Sequence, residues 1–342
     1  MKRNNVVSLF FAFISLFIIK TESFADLEFG NIKINGKFDL AFESKEFNTN
    51  PLQGKPSLMN YHHFVFLTWR KKDSKFFFTS EVVERYFYEF GAKIDPISLK
   101  FGKILVPFGP DPLFHKSYGG LVGFDQKFLP VVWSEHGIDV SYTYKGKDFG
   151  LINEIYIVNA PRGDQSKVFL PNAPSSLDKF AVGDRITIGV SKIMIFLSGY
   201  FNQYRSKYNY IMGAADVSLP YGFFGTGILE RFSLSAGVLR ANVEGDPNKV
   251  GKYFHFADYL RLGVMLPMNL EFRFISGTKT IQNYEGLVYD KSTADENDTT
   301  SFNFALIYRR EGFSTQFQYI INMEGRYERK DDLFRVMVGY EF

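Results

Sequence analysis

The chain has 342 residues, no cysteine and a formal net charge of +3, from 40 basic and 37 acidic residues. Without cysteine there is no disulfide framework, thiolate metal site or cysteine nucleophile, and charges this balanced argue against nucleic acid as a partner. Aromatic residues make up 18% of the chain, with 39 Phe and 20 Tyr, yet the mean hydropathy is −0.12. This combination excludes a disordered chain and a helical membrane protein, and favours strands whose two faces meet different solvents.

The N-terminus has the form of a secretory signal peptide. Two basic residues precede the apolar run Val6–Ile19, and the small residues Ser23 and Ala25 end the segment. As a helix the apolar run would rise only about 21 Å, which is too short for a hydrocarbon core of about 30 Å. We therefore predict that residues 1–25 are a cleaved leader and that residues 26–342 are one exported domain.

Alternation of apolar and polar residues at period two dominates the mature chain, and no helical period is sustained. Near the C-terminus, for example, Phe302, Phe304, Leu306 and Tyr308 share one face, while polar or small residues take the other. Since successive strand residues point to opposite sides of a sheet, each strand has an aromatic-aliphatic face and a polar face.

The alternation divides the mature chain into sixteen predicted strands. Their predicted bounds are Leu27–Phe42, Leu58–Arg70, Lys75–Val83, Arg85–Ile94, Ile97–Pro107, His136–Lys145, Asp148–Asn159, Phe180–Val190, Ile193–Tyr204, Lys207–Leu219, Gly222–Val243, Tyr253–Leu266, Asn269–Gly277, Thr299–Arg309, Phe313–Met323 and Asp332–Phe342. No turn residues mark the break near Glu84, and Gly222–Val243 is long enough to hold a hairpin. The count therefore ranges from about 14 to 18 strands, even-numbered because both chain ends fall on one rim.

A soluble β-sandwich would also alternate, but three features favour an antiparallel transmembrane β-barrel. Charges occupy mid-strand positions of the polar face, as at Glu81 and Arg273. Tight connections such as Asp95-Pro96 alternate with long ones such as Thr280–Asp298, as they do in bacterial outer-membrane barrels. Many strands reach ten residues, the length that a tilted strand needs to cross a bilayer. The predicted fold class is therefore an all-β outer-membrane barrel.

The polar face predicts which charges line the lumen. The inward bases are Arg70, Arg85, Lys100, Arg185, Arg231, Arg261, Arg273, Arg309 and Arg335, and the inward acids are Glu81, Glu89, Asp139, Asp216, Glu271 and Glu341. The excess of bases predicts a weak preference for anions. The alternative for each residue is a solvated or paired charge that only keeps the wall wet.

One long connection, from Pro110 to Glu135, is the predicted constriction. A loop of this length is usually functional or disordered, and charges ringed at a narrowing would set selectivity. Its charged candidates are Asp111, Lys116, Asp125 and Lys127. The alternative is a lid on the outside of the barrel, because nothing in the composition fixes the loop's direction.

Catalytic and metal sites find no support in the sequence. Ser134, Glu135 and His136 offer the residue types of a serine hydrolase, but three adjacent strand residues cannot converge on one point. The five histidines show no ligand spacing. We predict neither an enzymatic activity, nor a cofactor, nor a metal.

Four short segments spread over the mature chain carry a family resemblance. They read KFGKILVPFG at residues 100–109, PVVWSEHG at 130–137, MGAADVSLPYG at 212–222 and VGYEF at 338–342. Together they resemble the phosphate-selective porin family and related porin-like outer-membrane proteins. The resemblance implies a diffusion channel that assembles as a homotrimer, and the terminal Phe342 looks like the signal read by the barrel-assembly machinery. No dense lysine or arginine ladder matches the family, so no phosphate-site residues are carried over.

The predicted function is an outer-membrane channel of a Gram-negative-type bacterium. It passes small hydrophilic solutes passively, with a weak preference for anions, and its partners are outer-membrane lipids and the solutes themselves. The alternative is a closed structural or adhesive barrel whose long loops bind partners outside the cell.

Overall fold

β-Branched and aromatic residues alternating with polar ones make nearly every described segment a strand. The structure, a computed structural model, describes residues 27–45, 57–83, 87–110, 134–159, 180–204, 208–244, 253–282, 299–324 and 332–342. The predicted leader lies outside these ranges. In the described parts of the chain, no helix has both the length and the apolar character needed to span a membrane.

The structure contains seventeen strands and one short helix in the described ranges. They are β1 Leu27–Phe29, β2 Ile32–Lys45, β3 Ser57–Trp69, β4 Phe76–Glu81, β5 Tyr88–Ile94, β6 Ile97–Leu105, β7 Ser134–Lys145, β8 Phe149–Val158, β9 Ala181–Val190, β10 Ile193–Tyr204, β11 Tyr208–Leu219, the 3₁₀-helix Gly227–Arg231, β12 Phe232–Glu244, β13 Tyr253–Leu266, β14 Leu270–Gln282, β15 Thr299–Arg310, β16 Phe313–Glu324 and β17 Leu333–Glu341.

The strands close into a barrel. Each strand from β2 to β17 pairs antiparallel with the next one along the chain, and β17 returns to β2, which makes a closed wall of sixteen strands. The short β1 folds back on β2 and pairs with the start of β2, which β17 does not cover. The predicted all-β antiparallel barrel and its count of sixteen are confirmed.

Two predicted strands differ from the structure by more than their end residues. The first, Leu27–Phe42, is divided by a tight turn into β1 and β2. The prediction of one strand over Gly222–Val243 is wrong, because β12 begins only at Phe232 and the preceding residues form a connection with the 3₁₀-helix. Three glycines of that connection, at positions 222, 225 and 227, have positive φ angles of 77°, 109° and 71°, which an extended strand does not accommodate.

The two faces of each strand meet different surroundings. On β2 the outward Phe38 and Phe42 are 42% and 41% exposed, whereas the inward Asp39 and Glu43 are 3% and 4% exposed. The same alternation recurs around the wall, so an apolar band covers the outside and the polar side chains crowd the concave inside. This is the arrangement that lipid outside and water inside require.

The C-terminal residue completes the wall at the rim of short turns. Phe342 donates its N–H to Gly36 O at 3.0 Å and accepts from Gly36 N at 2.8 Å. Its ring stacks on Phe38 with 6.0 Å between centroids. The last residue is therefore held by both backbone and ring contacts on β2.

An ion pair crosses the seam where the last strand meets the first. Glu43 and Arg335 are direct partners across β2 and β17. Arg335 Nε donates to Glu43 Oε1 at 2.5 Å, and Arg335 Nη1 donates to Gln318 Oε1 at 3.3 Å. Both charged side chains are buried, so removing one of them leaves the other without its counter-charge.

We therefore expect Arg335→Met to lower the free energy of unfolding by about 3 kcal/mol, because the Glu43 carboxylate stays buried without its partner. The measurement is urea unfolding of the purified barrel, followed by loss of the compact band on SDS gels. The double variant Glu43→Leu with Arg335→Met should recover most of the loss. Equal stabilities of the wild type and the single variant would contradict this role of the pair.

Candidate functional site

The inner wall carries most of the charged side chains that the sequence assigns to the lumen. The structure places these predicted residues on inward positions of their strands: Lys100, Arg185, Arg261, Arg273, Arg309, Arg335, Glu81, Glu89, Asp139, Asp216 and Glu271. They fall into two main groups on opposite sides of the wall, besides the seam pair.

The first group, here called the β6–β9 cluster, consists of Glu89, Lys100, Asp139, Glu154 and Arg185. Lys100 Nζ lies 3.2 Å from Asp139 Oδ2 and 4.0 Å from Glu154 Oε1. Arg185 Nε donates to Glu154 Oε2 at 2.6 Å. Three carboxylates thus lie against the wall beneath two longer basic side chains.

The segment that follows β6 turns into the lumen above this cluster. Val106 is 1% exposed, and three residues later Gly109 N donates to Ser198 Oγ at 2.9 Å. Arg185 Nη1 donates to Gly109 O at 3.0 Å. Because Arg185 and Ser198 face inward on β9 and β10, the chain has crossed the inner surface of β7 and β8 by this point. The long loop therefore begins inside the barrel.

The four charged candidates of the predicted constriction lie outside the described residues. They are Asp111, Lys116, Asp125 and Lys127, all in residues 111–133. The inward direction of the loop's first residues is observed, and the role of these four side chains stays a prediction.

The second group, here called the β13–β15 cluster, consists of Arg261, Glu271, Arg273 and Arg309. Glu271 Oε1 accepts from Arg273 Nε at 2.8 Å, and Glu271 Oε2 accepts from Arg309 Nη1 at 2.5 Å. Arg261 Nη2 lies 3.5 Å from Ser235 Oγ. Two guanidinium groups therefore share the Glu271 carboxylate, whereas Arg261 extends toward β12.

Tyr221, in the connection that precedes the 3₁₀-helix, reaches this cluster. Its hydroxyl interacts with Ser233 and Glu271, and burial raises the pKa of the phenol.

Some predicted lumen charges have other positions. Arg70 and Arg231 are exposed at the rim of short turns, and Arg231 ends the 3₁₀-helix rather than belonging to a strand, so strand parity does not assign its side chain to a face. Arg85 lies outside the described residues. Glu81 has the predicted inward position, but it is buried at the end of β4, where Oε1 accepts from Val83 N at 2.9 Å.

The sequence analysis missed four buried carboxylates of the inner wall: Asp39, Glu43, Glu135 and Glu154. The predicted excess of bases over acids therefore does not hold for the described part of the wall. The available signal was strand parity, since each of these acids is flanked by residues of the outward face in a strand that alternates. Among the described residues, no group of three or more His, Asp or Glu side chains is arranged to hold a metal ion.

The acidic and basic side chains of the lumen differ in length, and so in how far they extend from the wall. The carboxylates are short and lie against the backbone, whereas the arginines extend over them; in the β13–β15 cluster the Glu271 side chain is 6% exposed and that of Arg309 is 48% exposed. Water and solutes in the lumen therefore meet guanidinium groups more than carboxylates at this end of the barrel.

Comparison of the sequence with known families and curated proteins gives no match. No protein-family model matches the chain, and no curated protein matches it either. The phosphate-selective porin family is therefore not established for this chain.

Solved structures do match over most of the chain. The outer-membrane channel DcaP of Acinetobacter baumannii is 11% identical with a TM-score of 0.61, and the match covers 91% of this chain and 97% of that one. The anion-selective porin from Comamonas acidovorans is 10% identical with a TM-score of 0.58, covering 91% and 99%. A trimer form of OmpT from Vibrio cholerae is 9% identical with a TM-score of 0.59, covering 92% and 100%. The chain thus has the fold of outer-membrane porins and channels.

Proposed function

We propose that this protein is an outer-membrane channel through which small hydrophilic solutes diffuse passively. The observation that carries the proposal is a closed sixteen-stranded barrel with an apolar outside and a charged inside. A barrel of this strand number is wide enough for an aqueous lumen unless loops plug it. A wall of charged groups keeps such a lumen wet and lets hydrated solutes pass.

Residues 1–25 are, on this proposal, the leader that exports the chain to the outer membrane of a Gram-negative-type bacterium. Lipids cover the apolar band, and Phe342 presents the terminal aromatic to the barrel-assembly machinery. No step of this function requires a catalytic residue or a cofactor.

A weak preference for anions is part of the proposal. The support is the reach of the basic side chains rather than their number, because Lys100, Arg185 and Arg309 extend over carboxylates that lie against the wall. The anion-selective porin with the same fold is consistent with this preference.

The inward segment after β6 narrows the lumen on this proposal. Arg185 and Ser198 hold Gly109 on the far side of two strands, so the rest of the loop starts from a fixed point inside the barrel. We propose that Arg185 and Ser198, by binding Gly109, determine where the lumen is narrowest.

We also propose a homotrimer, which the trimer form of a protein with the same fold supports. The outward face of β9–β12 adds a physical reason. Asp184, Gly199, Gly213 and Arg240 are successive partners across these strands, and they line a depression of about 450 Å³ among apolar side chains. Arginine facing lipid at the bilayer midplane costs about 2–4 kcal/mol, so a second copy is a better cover for this face than lipid.

The charges on this face are complementary between copies. Asp184 and Arg240 are three strand spacings apart, about 14 Å, and so do not meet within one chain. In a trimer whose rotation axis is parallel to the membrane normal, each copy presents the β9–β12 face to the axis. Asp184 of one copy is then directed toward Arg240 of the neighbouring copy.

The channel proposal is tested with purified protein in planar bilayers. We expect stepwise conductance and, in a KCl gradient, a reversal potential whose sign reports chloride passing more easily than potassium. A folded barrel that inserts without conducting would overturn the channel and favour the closed adhesive barrel. A reversal potential of the opposite sign would overturn the anion preference alone.

The constriction is tested by removing both contacts to Gly109. Arg185→Gln with Ser198→Ala should raise the single-channel conductance by about 1.5-fold, because the segment is released from β9 and β10. Ser314→Ala, which removes an inward hydroxyl elsewhere on the wall, is the matched control and should change nothing. Unchanged conductance in the double variant would show that these contacts do not position a narrowing.

The homotrimer is tested by reversing its charges. Asp184→Arg and Arg240→Asp should each shift the detergent-solubilised protein from trimer toward monomer, since like charges then face each other, and combining them should restore the trimer. Light scattering coupled to gel filtration measures the mass, and the conductance of each pore should stay the same. A monomeric wild type, or a double variant no better than either single one, would contradict the interface.

A further inference from the structure

The outer surface of β5, β6 and β7 carries a row of polar side chains close to the rim of long loops. Tyr88, Lys103 and His136 are direct partners across these three strands. Each lies within three residues of the strand end at that rim. Their side chains face outward, because the neighbouring Glu89 and Glu135 are buried on the inner side and successive strand residues alternate.

The next outward row, toward the short turns, is apolar. Phe90, Phe101 and Ile138 are partners across the same strands and are between 45% and 52% exposed. On β7, His136 and the exposed Tyr144 are eight residues apart, about 26 Å along the strand and about 20 Å along the barrel axis at the usual tilt. This separation is close to the height of the apolar band of such barrels, about 25 Å. The polar row therefore lies at the level of lipid headgroups.

A hydrogen bond joins the two ends of the row. Tyr88 Oη and His136 Nε2 are 3.0 Å apart, although β6 lies between their strands. The Tyr88 ring can cross β6 because Gly102 has no side chain there: a Cβ would lie 3.2 Å and 3.3 Å from two of the ring carbons. With a neutral imidazole, the pair keeps one further donor, which is the imidazole N–H if the phenol donates and the phenol O–H if the imidazole donates.

The row has the chemistry of a phosphate site. An ammonium group and a neutral O–H or N–H donor beside it suit the oxygens of a phosphate, which accept charge-assisted hydrogen bonds. Lysine is costly in hydrocarbon, and at the boundary its ammonium reaches the headgroups. The row also lies outside the β9–β12 face that the proposed trimer covers, so its neighbour is lipid rather than a second copy.

We propose that Tyr88, Lys103 and His136 form an outward-facing site for the phosphate group of a lipid in the outer leaflet. The inference rests on the proposed outer-membrane location, in which the long loops face the outside of the cell. It does not depend on conduction through the lumen. A phosphorylated glycolipid fits this position, because its acyl chains cover the apolar row while its phosphate reaches the polar one.

The experiment measures binding of fluorescent lipid A, a phosphorylated glycolipid, to the detergent-solubilised full barrel by fluorescence anisotropy. We expect saturable binding with a Kd about tenfold lower than that of the same lipid without its phosphates, since the acyl chains are identical in the two. Inorganic phosphate is the second probe. It should displace lipid A only at millimolar concentration, because it makes no apolar contacts.

Lys103→Gln should raise the Kd for lipid A by about tenfold, since it removes the charged donor and keeps the length of the side chain. Tyr88→Phe keeps the ring, removes the hydroxyl and should raise the Kd by about threefold. Lys147→Gln is the matched control, because Lys147 is exposed in the tight turn between β7 and β8 at the other rim. It removes the same charge and should bind as the wild type does. The compact band on SDS gels shows which variants are folded.

Three outcomes overturn the site: equal Kd values for lipid A with and without phosphates, equal Kd values for wild type and the folded variants at Lys103 and Tyr88, or equal weakening by Lys103→Gln and Lys147→Gln. Displacement of lipid A by micromolar inorganic phosphate would assign the row to a free anion and overturn the lipid. The channel is judged separately. A wild type that binds lipid A and does not conduct overturns the channel alone, whereas one that conducts and shows no preference for the phosphates overturns the lipid site alone.

Discussion

The closed ladder of backbone hydrogen bonds is the constraint on which the rest of this structure depends. A bilayer core offers no water to exposed N–H and C=O groups, so each strand needs a neighbour on both edges. Pairing of β17 with β2 supplies the last of these neighbours. Closure also fixes which face is concave. Closure therefore determines which residues line the lumen and which lie on the outer surface.

On the concave face, acidic and basic side chains extend to different distances from the backbone. Short carboxylates such as Asp139 and Glu271 lie against the backbone, and longer basic side chains from the neighbouring strands extend over them. The buried acids therefore orient the bases and lower the cost of holding several guanidinium groups together. The charge that solutes meet in the lumen depends on which atoms reach the water. The numbers of acidic and basic residues do not predict it.

Strand parity predicted the faces well and the ends of elements poorly. Phe304 and Leu306 were predicted outward and Ala305 inward, and their exposures of 39%, 38% and 3% agree. Parity does not apply at Arg231, because glycines with positive φ precede a 3₁₀-helix there, which no period-two pattern reveals. Glu43 and Glu154 were missed although strand parity places both inward. What the sequence does not show is their pairing with Arg335 and Arg185, which are distant along the chain.

The sequence by itself determined the fold class, an even strand number between about 14 and 18, and the side of the wall on which most charges lie, because these follow from local alternation at period two. Only the tertiary structure decided which charges meet. Arg273 and Arg309 come together at Glu271 from two strands, and Gly109 reaches Ser198 across the inner surface of β7 and β8, 89 positions further along the chain. Such contacts depend on strand register and on barrel curvature, and neither is written in the pattern of a single strand.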